Sequence, residues 1–334
     1  MLMYASLSQR HIKNRPITKM TENFYFNREF SDFEELAENL RQWNIQIRQL
    51  QRKGGASSLR QLSLGNVLIA CGVFSGRTHQ IGVPPAGRTI AFHAGKGSQI
   101  VWRRREVPQN GLMIFPSDTD LDIVTKGPQN IPYTLTVTDD LLASRFENTP
   151  HNYYELISRH EVICIPNYSI KKLQRVFDLF FQATEEQPEL LESKAFQAAI
   201  EERLLNEVSQ ALSSASDVPR QQARKSKTRT WKEIERVIEE AIESPIPVTG
   251  LCKAADVSER TLRRMFHERF GISPKAYLNR IRLNGIRHNL KKSSPGEVKI
   301  TDVAATWGFW HMGQFTADYK NLFGELPSTT LLKK

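Results

Sequence analysis

Arg260, Arg263, Arg264 and His267 stand at i, i+3, i+4 and i+7, the spacing that puts four side chains on one face of an α-helix. Guanidinium groups on such a stripe can pair with guanine O6 and N7 or with phosphate oxygens, which a strongly hydrated lysine face does less selectively. An ordinary solvated helix face has the same pattern, so the flanking sequence has to decide. Leu262, Met265, Phe266 and Phe270 supply the opposite, core-facing stripe.

An internal repeat supplies the scaffold. At an offset of 53, Leu262, Phe266, Phe270, Gly271 and Pro274 match Phe315, Tyr319, Phe323, Gly324 and Pro327. Upstream the offset is 52 and pairs Thr249 with Thr301 and Asp256 with Gly308. The extra residue falls in the turn. Each copy predicts a Thr-capped short helix, a tight turn at Asp256 or Gly308, and a second helix from Ser258 or about His311 that ends at a glycine and then a proline. That is a helix-turn-helix twice over, at about 249–270 and 301–323, with the arginine stripe on the first reading helix.

Between the copies, Ser273 to Lys292 reads as one long helix with Tyr277, Ile281, Leu283, Ile286 and Leu290 inward and Arg280, Arg282, Arg287, Lys291 and Lys292 around it. Residues 251–292 carry 11 Lys and Arg against three Asp and Glu, a concentration expected of a phosphate-facing surface. In the second copy the matching reading positions are Gly313, Thr316, Ala317 and Lys320, a small and weakly polar face suited to a thymine methyl or a close backbone approach. Trp307, Phe309 and Trp310 are expected to be core rather than base-stacking aromatics.

Three stretches resemble the AraC/XylS family of bacterial transcription regulators. They are V-S-E-R-T-L-R-R-M-F at 257–266, S-P-K-A-Y-L-N-R-I-R-L at 273–283, and G-F-W-H-M-G-Q-F-T-A-D-Y-K-N-L-F-G-E-L-P-S at 308–328. Within it, R-I-R-L-N at 280–284 and W-G-F-W-H-M-G-Q-F at 307–315 are most similar to the ethanolamine-operon regulators. The chain departs from the family at Asp256, where glycine is usual, and in the weakly polar second reading face. The resemblance covers about a hundred residues. It implies a sequence-specific, effector-responsive activator with double-stranded promoter DNA, RNA polymerase and a second copy of itself as partners. It names no effector, and no cofactor or metal is expected.

The remainder reads as an α+β chain. Residues 31–53, with Ser31 and Glu34 in capping-box spacing and Phe33, Leu36, Leu40, Trp43, Ile47 and Leu50 at helical intervals, predict one amphipathic helix. From about 58 to 142, short β-branched runs alternate with turns, as in a small sandwich or barrel that the family likeness makes cupin-like. Residues 170–212 predict two antiparallel helices whose Phe- and Leu-rich stripes look larger than the β domain needs, so dimerisation is expected there. Residues 213–229 read as a flexible linker. The division is therefore 1–212 for effector sensing and dimerisation, and 230–334 for an all-α DNA-binding domain.

Composition sets the outer bounds. The 334 residues suggest two domains, and a net charge of +10 favours DNA, RNA or anionic surfaces. Cys71, Cys164 and Cys252 are scattered, which supports neither a disulfide framework nor a zinc ribbon. The first twenty residues, with Arg10, His11, Lys13, Arg15 and Lys19, hold no signal-length apolar run, so a cytoplasmic protein is expected. Two rivals stand beside the regulator. A metal-dependent cupin-type enzyme would have only His79 and His93, 14 residues apart, to build on, and Gly95 to Ser98 lacks the spacing of a phosphate loop. A ligand-independent architectural DNA- or RNA-binding protein would share the charge but has no use for a β domain.

Overall fold

The computed structural model describes residues 22–334 except 53, 95–96, 117–118, 148, 150–151, 216–224, 242–245 and 334. The basic residues of the first twenty positions, and Gly95 and Lys96, thus lie outside the described residues.

The N-terminal part is two sheets. One has the order β1 (Phe24–Phe30), β3 (Ser57–Leu64), β4 (Val67–Ser75), β12 (Pro132–Val137), β6 (Arg88–His93), β9 (Gly111–Pro116) and β13 (Val162–Cys164), with β11 (Gln129–Asn130) also pairing β4. The other runs β2 (Asn44–Gln49), β5 (Thr78–Val83), β10 (Leu121–Lys126), β7 (Gln99–Trp102) and β8 (Arg105–Val107). Alternation along each strand sorts the side chains. Ala91, Met113 and Phe115 of the first sheet meet Ile100, Trp102 and Ile123 of the second between them.

The first sheet's outer face, with Ile69, Phe92 and Leu135, is covered by α4 (Asn167–Glu186) and α5 (Lys194–Ser213). These helices are antiparallel, as expected: Lys172 bonds Gln210 while Phe180 meets Phe196. Their stripes are not spare, however. Leu173, Phe177, Phe181, Leu204 and Val208 are all buried in the core of their own chain, so the surplus expected to drive dimerisation is absent from these positions.

The single helix expected over 31–53 is corrected. Helix α1 spans only Phe33–Asn39, and its N-cap is Asp32, not Ser31, with the carboxylate accepting from the Glu34 and Glu35 amides. Gln42 takes a left-handed φ of 65°, which ends the helical path, and β2 follows. Ile45 and Ile47 suit a two-residue period as well as Trp43 and Ile47 suit a helical one, and pairing with β5 selects the strand. Strand β1, over Phe24–Phe30, was not anticipated.

Beyond α2 (Asp139–Phe146) and α3 (Tyr153–Arg159), which lie between β12 and β13, the C-terminal helices are α6 (Lys225–Glu240), α7 (Val248–Ala255), α8 (Glu259–Phe270), α9 (Pro274–Lys292), α10 (Ile300–Thr306), α11 (Met312–Phe323) and α12 (Pro327–Leu332). The expected linker is shorter at both ends, since Ser213 closes α5 and α6 begins at Lys225. Two cores serve these helices. Trp231, Leu262, Phe266 and Phe270 surround the first motif, and Ile286, Trp307, Phe315 and Tyr319 the second. Gly285 is needed mid-helix because a Cβ there would meet the Trp307 ring at 2.0 Å.

Candidate nucleic-acid interface

The two motifs share their backbone logic. Asp256 and Gly308 both take left-handed conformations after the short helices, with φ of 50° and 75°. The next amide then bonds back five residues, Val257 to the Cys252 carbonyl at 3.1 Å and Phe309 to that of Ala304 at 3.0 Å. Asp256, the departure from the family pattern, thus makes the same turn as glycine at the small cost that Asp accepts in this region. The short helices are not Thr-capped, in contrast to the expectation. Pro247 and Lys299 hold the N-cap positions, and Thr249 and Thr301 lie inside the first turn.

Helix α8 is capped by Ser258, whose hydroxyl accepts from the Thr261 amide at 3.2 Å, and both reading helices end at left-handed glycines, Gly271 and Gly324. Leu262, Met265, Phe266 and Phe270 are buried, and Arg260, Arg263, Arg264 and His267 are exposed on the other side. Arg263 pairs with Glu259 at 2.9 Å and Arg264 lies 3.9 Å from Glu268. Such exposed i,i+4 pairs contribute about 0.3–0.5 kcal/mol and yield readily to a phosphate or a base. On α11, Gly313, Ala317 and Lys320 are exposed and Thr316 half-buried. Structure therefore keeps each set of expected reading residues together on one outward face.

Of the other cations of this segment, Lys253, Lys275 and Lys292 are also exposed, whereas Arg269, Arg287 and Lys291 turn to partners within the chain. The second sheet's outer face, carrying Leu50, Val101 and Val124, completes the core of the first motif. A chain of hydrogen bonds crosses this contact repeatedly. Tyr277 Oη lies 3.0 Å from His79 Nδ1, and His79 Nε2 lies 3.0 Å from Asp122. Asp122 accepts from Arg269, which also donates to Glu235 at 2.6 Å, and Glu235 accepts from Arg104 at 2.9 Å. Arg269, stacked over Trp231 and Phe270, is one of the most deeply buried cations. Burial alone would raise the Asp122 carboxyl, but Arg269 and His79 outweigh it and hold it below the usual range.

A second contact lies at α1. Asp32 bonds Arg287 Nε at 3.0 Å and meets Lys291 at 3.2 Å, while Glu34 pairs with His288. Burial opposes ionisation of Asp32, yet Arg287 and Lys291 bring its pKa down to about 2. The broad phosphate-facing surface expected over 251–292 is thereby reduced, because Arg269, Arg287 and Lys291 serve the domain contact. That is legible only in three dimensions, since their acidic partners lie up to 259 positions away.

The β domain also holds the far ends of both reading helices. Arg77 donates to the Gly271 carbonyl at 3.0 Å, Lys126 donates to that of Glu268, and Gln49 donates to that of Leu322 at 2.7 Å. Cations and donors at a helix C-terminus satisfy its unpaired carbonyls and favour its dipole. Asn284 of α9 adds a reciprocal pair with the Gln49 backbone, both bonds at 2.9 Å.

His79 is therefore engaged with Asp122 and Tyr277, while His93, at the end of β6, is buried with no hydrogen-bond partner at either ring nitrogen. Among the described residues no group of three or more His, Cys, Asp or Glu is placed to hold a metal ion, and no helix is long and apolar enough to cross a membrane. One aromatic departs from expectation. Trp307 is buried and Phe309 packs against Phe315, but Trp310 is 73% exposed.

Residues 251–333 match the family described as a helix-turn-helix domain. The XylDLEGF operon transcriptional activator of Pseudomonas putida is 35% identical over 102 residues, 30% of this chain and 32% of the relative. The probable thc operon regulatory protein of Rhodococcus erythropolis is 33% identical over 94 residues, 28% of each chain. This chain thus spans about a third of the length of these curated relatives. The crystal structure of the AraC-like transcriptional activator CuxR aligns over 78% of this chain and 94% of its own, with a TM-score of 0.41 and 14% identity. Over residues 251–333 the match to the helix-turn-helix family coincides with the two turns described above, and this C-terminal part of the chain is similar in sequence to those transcriptional regulators.

Proposed function

We propose that this chain is a sequence-specific, DNA-binding activator of transcription whose two helix-turn-helix motifs read adjacent major grooves of promoter DNA. The observation that carries the reading is the sorting of its cations. Arg260, Arg263, Arg264 and His267 remain outward on a Ser-capped helix, whereas Arg269, Arg287 and Lys291 are turned to acidic partners within the chain. In this reading Arg260, Arg263 and Arg264 contact guanine edges or phosphates, His267 and Lys320 contact the backbone, and Gly313, Thr316 and Ala317 allow close approach. Helix α9, 19 residues or about 28 Å long at 1.5 Å per residue, suits the ~34 Å between successive major-groove faces.

Residues 1–212 act as a cupin-like effector and dimerisation domain in the same proposal. His93, Trp43 and Trp102 support a small-molecule effector, since each has a buried ring nitrogen without a hydrogen-bond partner. Tyr168 and Leu179, exposed on α4, support contact with a second copy. RNA polymerase would be the partner of activation, the cytoplasm its place, and the 280–284 and 307–315 stretches favour the ethanolamine-operon branch. Selected-site sequencing and a salt titration with the full chain test the central claim. About six phosphate contacts give a log–log salt slope near −5. Failure to enrich any motif, or affinity indifferent to salt, overturns it.

A further inference from the structure

The two motifs match residue for residue except at one place. Val257 and Phe309 make the same turn-closing bond at an offset of 52, whereas the next structural equivalents, Ser258 and His311 at the N-caps of α8 and α11, stand 53 apart. Trp310 is the residue without a counterpart. Its aromatic neighbours turn inward, yet Trp310 has the most exposed large apolar side chain among the described residues. A tryptophan in water forgoes the large burial that an aromatic ring normally contributes. Its place explains what would cover it, because the N-terminal end of a reading helix is the part that meets base edges.

The surface behind it has a consistent character. Gly313 has open space where a Cβ would stand, and Thr316 and Ala317 offer methyl groups but no fork of donors. In the major groove the one apolar feature of a base pair is the C5-methyl group of thymine. Resting on the DNA-binding reading above, we propose that Trp310 is the specificity-determining residue of the second motif and recognises thymine methyl groups by apolar contact. The first motif then reads by hydrogen bonding and the second by shape and methyl contact.

The test uses the full chain. Selected-site sequencing of the wild type and Trp310→Ala locates the positions whose preference depends on the ring. Uracil then replaces thymine at those positions in synthetic duplexes, removing only the methyl group. Wild-type binding is expected to weaken roughly four-fold per uracil, the worth of one buried methyl group, and Trp310→Ala to be weaker on thymine duplexes but indifferent to the exchange. Trp310→Phe should keep most of the discrimination. A wild type indifferent to uracil, a uracil penalty that persists in Trp310→Ala, or preference lost only at G·C positions overturns the assignment while leaving DNA binding intact. A wild type that selects no duplex overturns the DNA-binding reading as well.

Discussion

The Tyr277 hydroxyl of α9 lies 3.0 Å from His79 Nδ1 of β5, so a buried imidazole bridges the β domain and the long helix. Asp122 is held ionised by Arg269 and can only accept, so His79 carries a proton on Nε2, and in the neutral ring that burial favours its Nδ1 accepts from Tyr277. Burial favours the neutral ring, which is wedged between the domains.

Stability should therefore rise with pH through the histidine range. Burial holds the His79 pKa below its ordinary 6.5, with Asp122 opposing and Arg48 and Arg269 assisting. The folded chain binds fewer protons than the unfolded one, so the His79 contribution is complete above about pH 6.5 and is lost as pH falls toward the folded value. Thermal unfolding of wild type and His79→Gln from pH 5 to 8 reads this directly. Parallel profiles would exclude His79 as the titrating group.

Arg269 and Asp122 should be strongly coupled. Arg269→Leu removes the buried cation shared by Asp122 and Glu235 and should cost about 3–5 kcal/mol, the usual effect of breaking a buried pair. Combining it with Asp122→Leu should recover part of that loss. Urea unfolding of the singles and the double gives the coupling energy, and simple additivity would refute the pair as a unit.

Asp32 should act in acid. Its pKa of about 2, against an ordinary 3.8, stabilises the fold above pH 3.8 and ceases to do so as pH falls through about 2. Asp32→Asn should cost on the order of 2 kcal/mol at pH 6, and the gap to wild type should narrow by pH 3. A gap that is the same at both pH values would disprove the linkage.

The reading faces should separate by role. Arg263→Ala or Arg264→Ala should cost about 1–3 kcal/mol on the preferred site and relax one or two base positions, whereas Lys320→Ala should weaken all sequences alike and lower the salt slope by about one. Selected-site sequencing and salt titrations of each variant distinguish them. If Thr316→Ala scrambles the motif while the arginine variants leave it intact, the roles are reversed.

The helix-turn-helix pair was legible because its signals are local: a repeat, two glycine stops and an arginine stripe within one helix. Arg269 was not, since an arginine beside Phe270 looks like a stray charge until Asp122 and Glu235 are brought to it. The 31–53 segment misled because its apolar residues fit two periods and only pairing with β5 decides between them. Trp310 was misjudged by analogy with its neighbours, although the one-residue change in repeat offset had already marked its position.

The grip of Arg77, Lys126 and Gln49 on the far ends of α8 and α11 has a metric consequence. Gln49 and Lys126 end strands β2 and β10 of a single sheet, and Arg77 stands just before β5, which lies between them, so while these contacts hold the distance between the two gripped helix ends is a ruler cut by strand spacing, not by a tether. A base pair added between two recognition boxes shifts one by about 3.4 Å and turns it by about 34°, as follows from a 10.5-pair helical turn. A ruler of this kind admits one separation, and a promoter with any other would be read only by a chain whose sheet had let go of one helix.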